Sequence, residues 1–183
     1  MRPRLRRLLL PLLAALALVA LALTVSACGY SSDSKDVKEG EPVKLGDVQY
    51  NVVFSRFLNP NDSEDSAFLV GQPEAAPETT YFGVFFEVQN ESDETQPLPD
   101  SFTIEDAFGT SYEALPTESL YAFPLGGEVE AEEQVPVLDS TPQQGSIEGS
   151  LVLFSLPDSA SENRPLTLEI EGPEGPAQVV LDL

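Results

Sequence analysis

Histidine is absent from this 183-residue chain and cysteine occurs once, at position 28. Histidine-based triads and histidine metal ligands are therefore excluded, and what remains to do chemistry is carboxylates, amides and hydroxyls. Neighbouring acids occur at Glu105-Asp106 and at Glu130, Glu132 and Glu133. Such pairs hydrolyse glycosides only when two carboxyl groups face one another across a cleft at about 5 to 9 Å. With 31 acidic residues in the chain, adjacent acids follow from composition, and a solvated acidic face is expected. Ser32-Asp33-Ser34-Lys35 has the S-x-x-K spacing in which a helical turn sets a lysine beside a nucleophilic serine. It lies in a polar run with no helical period and none of the partner motifs, so no enzymatic role is expected.

Asn59, Asn61, Ser63 and Asp65 alternate with other residues, the spacing at which a calcium loop presents its oxygens. Glu64 stands where such a loop needs its sixth-place glycine, and Val70 stands where it needs a glutamate, which excludes an EF-hand. A looser Ca²⁺ site on Asn61, Asp62 and Asp65 is the one metal candidate. No other cofactor is expected.

Cys28 belongs to a different chemistry. Arg2, Arg4, Arg6 and Arg7 precede an apolar run from Leu8 to Leu23 broken only by Pro11, the basic-then-apolar order of an export signal. A stretch of this length would also span a bilayer. Val25-Ser26-Ala27-Cys28 follows it, a branched apolar residue and two small residues before the cysteine, and this resembles the lipobox of lipoprotein precursors. The resemblance implies cleavage between Ala27 and Cys28 and a diacylglyceryl group on the Cys28 sulfur. Two acyl chains hold where one would exchange, since each buried CH₂ adds about 0.8 kcal/mol. The expected location is the extracytoplasmic face of the cell membrane, reached by general secretion rather than by the twin-arginine route.

No acidic residue precedes Cys28, whereas four of the nine basic residues do, so from Cys28 onward five basic residues face 31 acidic ones, a net charge of −26. That surface repels phosphate backbones and anionic headgroups, and nucleic acid is excluded as a partner. It also opposes compaction at low ionic strength. With its only cysteine lipidated, the exported domain has no disulfide and must be held by core burial.

Residues 28–44 are mostly polar and read as a flexible tether after the 1–27 signal peptide. From residue 45 to 183 the pattern changes to short β-strands. Val48, Tyr50, Val52 and Phe54 alternate with Gln49, Asn51 and Ser55, the mark of a strand with one buried face. Residues 59–66 and 71–77 read as loops. Phe82, Val84, Phe86 and Val88 occupy one face of the strongest strand, with Tyr81, Phe85, Glu87 and Gln89 on the other. Phe102 and Ile104 pair with Tyr112 to Leu115 as a hairpin. One helical turn is expected near Thr117 to Leu120, and an edge strand at Val135-Pro136-Val137-Leu138. Leu151-Val152-Leu153-Phe154 reads as a strand buried on both faces, followed by two more strands around Leu166 to Ile170 and Val179 to Leu183. Strands of this number and spacing, with no long helical period, imply an all-β antiparallel sandwich.

Three segments carry a family resemblance. Tyr81-Phe82-Gly83-Val84-Phe85-Phe86-Glu87-Val88-Gln89-Asn90 ends an apolar strand on asparagine before small polar residues. Phe102 to Tyr112 places an acid and a glycine before a tyrosine, and Gly149 to Pro157 is a late strand ending in proline. Together they resemble the immunoglobulin-like domain of many bacterial lipoproteins, a family of unknown function sometimes headed telomere-repeat-binding-factor-like, a heading that implies no DNA binding. The likeness covers residues 45–183. Pro116 to Gln144 departs from it, being longer and more acidic than the usual connector, with Pro142-Gln143-Gln144-Gly145 where a Pro-Gly-Glu turn is expected.

The expected role is a non-enzymatic interaction or accessory module. It is held to the membrane by the lipid on Cys28 and contacts an envelope protein or the wall. The competing expectation is a solute- or divalent-cation-binding receptor. A sandwich filled by Phe82, Phe86, Phe102, Ile104 and Phe154 favours the first, and a ligand-sized chamber between the sheets favours the second.

Overall fold

The computed structural model describes residues 36–182, so the expected signal peptide, Cys28 and residues 29–35 lie outside the described residues. The strands are β1 (Asp36–Lys38), β2 (Val43–Leu45), β3 (Val48–Phe57), β4 (Thr79–Asn90), β5 (Gln96–Pro97), β6 (Thr103–Glu105), β7 (Ser111–Glu113), β8 (Glu128–Val129), β9 (Gln134–Val135), β10 (Ser150–Pro157), β11 (Thr167–Ile170) and β12 (Ala177–Val180). One sheet has the order β1-β12-β11-β6-β7, the other β10-β4-β3-β2 with β9 on β4, and β5 pairs with β8 separately. Every pairing is antiparallel except that of β1 with β12. The two sheets form a β-sandwich. Its early strand pair β3-β4 meets the late strand β10 in one sheet, while β6 meets the last two strands in the other. Each sheet thus joins early and late parts of the chain.

Alternation decides the core. Val48, Tyr50 and Val52 of β3, Phe82, Val84, Phe86 and Val88 of β4, and Val152, Phe154 and Leu156 of β10 turn inward against Phe102, Ile104, Leu168, Ile170 and Val179. Phe86, Phe102 and Phe123 stack in contact, with ring centroids 4.8 to 5.6 Å apart. β10 is buried along both faces from Ser150 to Phe154, as its unbroken apolar run requires.

Five expectations change. The tether reading of 28–44 fails over its C-terminal part, because residues 36–38 and 43–45 are strands. β1 lies on β12, and the Glu39 carboxylate accepts from the Ser55 N–H and hydroxyl and from the Asp182 N–H. Partner strands supply the hydrogen bonds and apolar cover that this polar segment lacks by itself. The 59–66 loop is only half right, since Ser63–Phe68 forms the helix α1. Phe54 does not face inward, because a bulge between Val52 and Phe54 adds one residue, turning Phe54 outward at 41% exposure and Ser55 inward. No helical turn forms at 117–120. There the Ser119 hydroxyl donates to the Ala67 carbonyl, 2.8 Å. Of the expected edge strand, Gln134–Val135 pairs with β4, and Val137 and Leu138 are exposed. Among the described residues no helix is long and apolar enough to cross a membrane.

Candidate functional site

The calcium-loop residues come together, but in other roles. Asp62 is the N-cap of α1, accepting from the N–H groups of Glu64 at 2.8 Å and Asp65 at 3.3 Å. Capping oxygens of this kind satisfy donors that have no partner within the helix. Asp65 is buried, ion-paired to Arg56 and accepting from the Asn59 N–H at 2.7 Å. Asn61 donates its N–H to the Asn59 side chain, 3.0 Å. A guanidinium already occupies the position beside Asp65 that a cation would take. Among the described residues no cluster of three or more acidic side chains is placed to hold a metal ion.

The acid pairs are likewise separated by the fold. Asp106 is buried at the β6–β7 turn, where its carboxylate accepts from the N–H groups of Thr110 and Phe108 at 3.0 and 2.9 Å and from the Tyr112 hydroxyl at 3.2 Å. The Thr110 N–H, followed by the other donors around it, holds its pKa below the usual 3.8. Glu105 is exposed on the strand before it. Glu130, Glu132 and Glu133 are all exposed, and Glu130 accepts from the Thr95 hydroxyl at 2.9 Å. Asn90, which ends the strongest strand, is fully buried and works as a clamp. Its amide donates to the carbonyls of Glu94, Val129 and Glu130, and its oxygen accepts from the Ser92 N–H and hydroxyl.

The surfaces free to do something lie outside the sandwich. On the outer face of β4, Tyr81 and Phe85 pack under α1 and residues 115–121, with the Phe68 ring 5.0 Å from Phe85 and 4.9 Å from Tyr121. Gly83 leaves room for this cover, since a Cβ there would lie 3.0 Å from the Leu151 side chain and force it to shift. This part of the outer face is therefore closed.

Further along the same face the cover stops. Gln49 pairs with Gln89 and Gln89 with Gln134, a row across β3, β4 and β9, and Asn51 pairs with Glu87 in the next row. These side chains line a hollow of 310 Å³ with Pro42 at its rim. Asn51 donates to Glu87 at 3.4 Å, while its own oxygen is buried and has no hydrogen-bond partner among the described residues. Sequence reading placed Glu87 and Gln89 on the outward face, but nothing in their spacing marked them as one site with Gln134, which joins from 45 residues away.

A second surface is apolar. Leu120 at 79% exposure and Val137 at 59% line a hollow of 480 Å³ with Ala122, Pro124, Val135 and Pro136, next to exposed Leu138. Most exposed apolar side chains on soluble proteins are scattered singly, and a contiguous group bounded by polar residues is a mark of contact surfaces.

No family model and no curated protein matches the chain. Solved structures do. An uncharacterized β-sandwich protein from Clostridium difficile 630 matches at a TM-score of 0.50 and 13% identity, over 81% of this chain and 94% of that one. The yjhA protein from Bacillus subtilis matches at 0.54 and 14% identity, over 80% of this chain and 99% of that one. A proposed lipoprotein from the same species, ycdA, overlaps 79% of this chain and 39% of its own at 0.47 and 12% identity, too weak a likeness to carry an argument. At these identities the neighbours show a shared fold, the β-sandwich, and nothing of activity.

Proposed function

We propose that the chain is a lipid-anchored extracytoplasmic lipoprotein. Its immunoglobulin-like sandwich serves as a non-enzymatic interaction module at the cell envelope, of the kind found in the bacterial lipoproteins that it resembles. The observation that carries this reading is the filled interior. Phe82, Phe86, Phe102, Ile104 and Phe154 are each at most 1% exposed, so the space between the sheets is occupied by side chains and the working surfaces are external. Fold alone names no partner. The exposed Leu120, Val137 and Leu138, set in a surface of net charge −26 from Cys28 onward, fit a protein partner with an apolar centre and a basic rim.

Site-specific photo-crosslinking in intact cells tests the module. A crosslinker at Val137 should capture one discrete envelope protein, with Leu120→Asp abolishing the adduct and a crosslinker at exposed Gln178 giving none. Equal capture from both positions, or none, overturns the reading. The anchor is tested separately by the intact mass of membrane-extracted protein, which should begin at Cys28 and carry a diacylglyceryl group. A chain retaining Arg2 to Ala27 overturns it.

A further inference from the structure

The hollow on the open half of the outer face is rich in acceptors. The Gln89 amide nitrogen donates to the carbonyls of Asn90, Glu132 and Glu133 at 3.2, 3.4 and 3.2 Å, so what Gln89 has left to offer a ligand is its carbonyl oxygen. Gln134 donates to the Pro136 carbonyl at 3.2 Å. The Asn51 amide is oriented by its bond to Glu87, which leaves its unpartnered oxygen as acceptor, and Glu87 itself only accepts when ionised. A buried acceptor left unmade costs free energy that a donor-bearing ligand would recover.

Geometry narrows the ligand. Neighbouring strands stand about 4.8 Å apart and same-face residues along a strand about 6.8 Å apart, so Asn51, Glu87, Gln89 and Gln134 are within side-chain reach of one small ligand group. A primary ammonium radiates three N–H donors and suits several separate acceptors, whereas a guanidinium presents a planar fork that pairs best with one carboxylate. A divalent ion calls for several carboxylates, and Glu87 is the only one lining the hollow. An anion would be repelled by the Glu87 carboxylate, although the Gln49 amide in the lining can donate. The 310 Å³ volume falls at the small end of the roughly 300 to 1,000 Å³ typical of ligand pockets.

We propose that this hollow binds an organic primary ammonium group, held by Asn51, Glu87 and Gln89 with Gln134 at the side. The site adjoins the apolar contact surface at Val135, but its argument uses neither that surface nor the anchoring, so its failure would leave both standing.

Titration calorimetry on the full chain in detergent, at about 0.15 M salt where general attraction is screened beyond about 8 Å, tests it. The probes are cadaverine and Nα-acetyl-lysine amide, with tetramethylammonium, methylguanidinium and Ca²⁺ as comparisons. Saturable one-to-one binding of either amine is expected. Cadaverine alone would identify a free amine as the source, and the lysine amide would identify a side chain of a partner. Glu87→Gln, an exposed and conservative change, should weaken binding about tenfold, the loss expected for one charge-assisted hydrogen bond. Asn51→Val should weaken it at least as much, with the thermal midpoint of the free protein confirming that both variants fold. Side-chain amide signals of Asn51 and Gln89 should shift on titration. Equal binding of tetramethylammonium or methylguanidinium, displacement by micromolar Ca²⁺, affinity unchanged in the Glu87→Gln variant, or no binding at all would overturn the proposal.

Discussion

The outer face of β4 is handled in two ways within one strand. At its N-terminal half Tyr81, Gly83 and Phe85 lie under a lid of α1 and residues 115–121, while at its C-terminal half Glu87 and Gln89 stay open beside Asn51 and Gln49. The lid is tied down by specific bonds. The Ser119 hydroxyl donates to Ala67, the Gln72 amide to the Pro116 carbonyl at 2.8 Å, and the Tyr81 hydroxyl to the Pro73 carbonyl at 3.1 Å. Residues 115 and 121–123 also exchange backbone hydrogen bonds with Leu151 and Leu153, which covers the free edge of β10. On the open half the polar side chains satisfy part of their hydrogen bonding among themselves and face solvent. The contrast teaches that the same sheet face becomes core or site according to whether a distant segment can supply apolar cover.

Substituting the centre of the covered half should have the largest effect. Phe85→Ala removes a fully buried ring and its contact with Phe68, and should cost about 3 to 5 kcal/mol in urea denaturation. A loss below about 1 kcal/mol would mean that the lid collapses onto the gap or contributes little.

The next effect separates the two faces of β3. Tyr50, beside Asn51 but facing inward, is 3% exposed, and burial pushes its pKa up from 10.0 to about 12. The folded value lies above the unfolded one, so this contribution is complete below pH 10 and is lost as the pH rises toward about 12. The wild type should lose roughly 2 to 3 kcal/mol across that window, and Tyr50→Phe should lack this part of the alkaline slope in thermal melts. An unchanged slope in the variant would show that Tyr50 ionises freely in the folded state.

The lid itself can be loosened. Asp62→Ala deletes the cap of α1 and should cost about 1 kcal/mol, with faster amide exchange at Glu64 and Asp65 and unchanged exchange at Gln49 and Asn51. Equal acceleration on both halves would erase the distinction between them. The smallest effect belongs to the open half, where Gln49→Thr should shift stability by no more than about 0.5 kcal/mol. A larger loss would mean that the polar row supports the fold rather than remaining available to a ligand.

Much of the sandwich could be read directly. Val84, Phe86 and Val88 had to share a buried face because side chains alternate along a strand, and Leu151 to Phe154 had to be covered on both sides because no polar residue interrupts them. The hairpin of β6 and β7 was equally legible, since its acidic and glycine-bearing turn lies between two apolar pairs. The candidate site was less so. Glu87 and Gln89 were visible as outward residues, but the meeting with Gln134 depends on β9 joining the edge of β4 across a segment with little periodicity.

By itself, then, the sequence determined the basic-then-apolar order of the residues before Cys28, the acidity of everything after it, and the inward and outward sides of the long strands, because charge and alternation are local and additive properties. Only the tertiary structure decided the rest. The bulge turned Phe54 outward, Glu39 drew residues 36–45 onto the sandwich, Asp62 and Asp65 went to a helix cap and Arg56, and the cover over β4 stopped between Phe85 and Glu87. Each of these depends on which distant residue wins a hydrogen bond or an apolar contact. That competition is settled by pairing across the fold rather than by the order of residues within a segment.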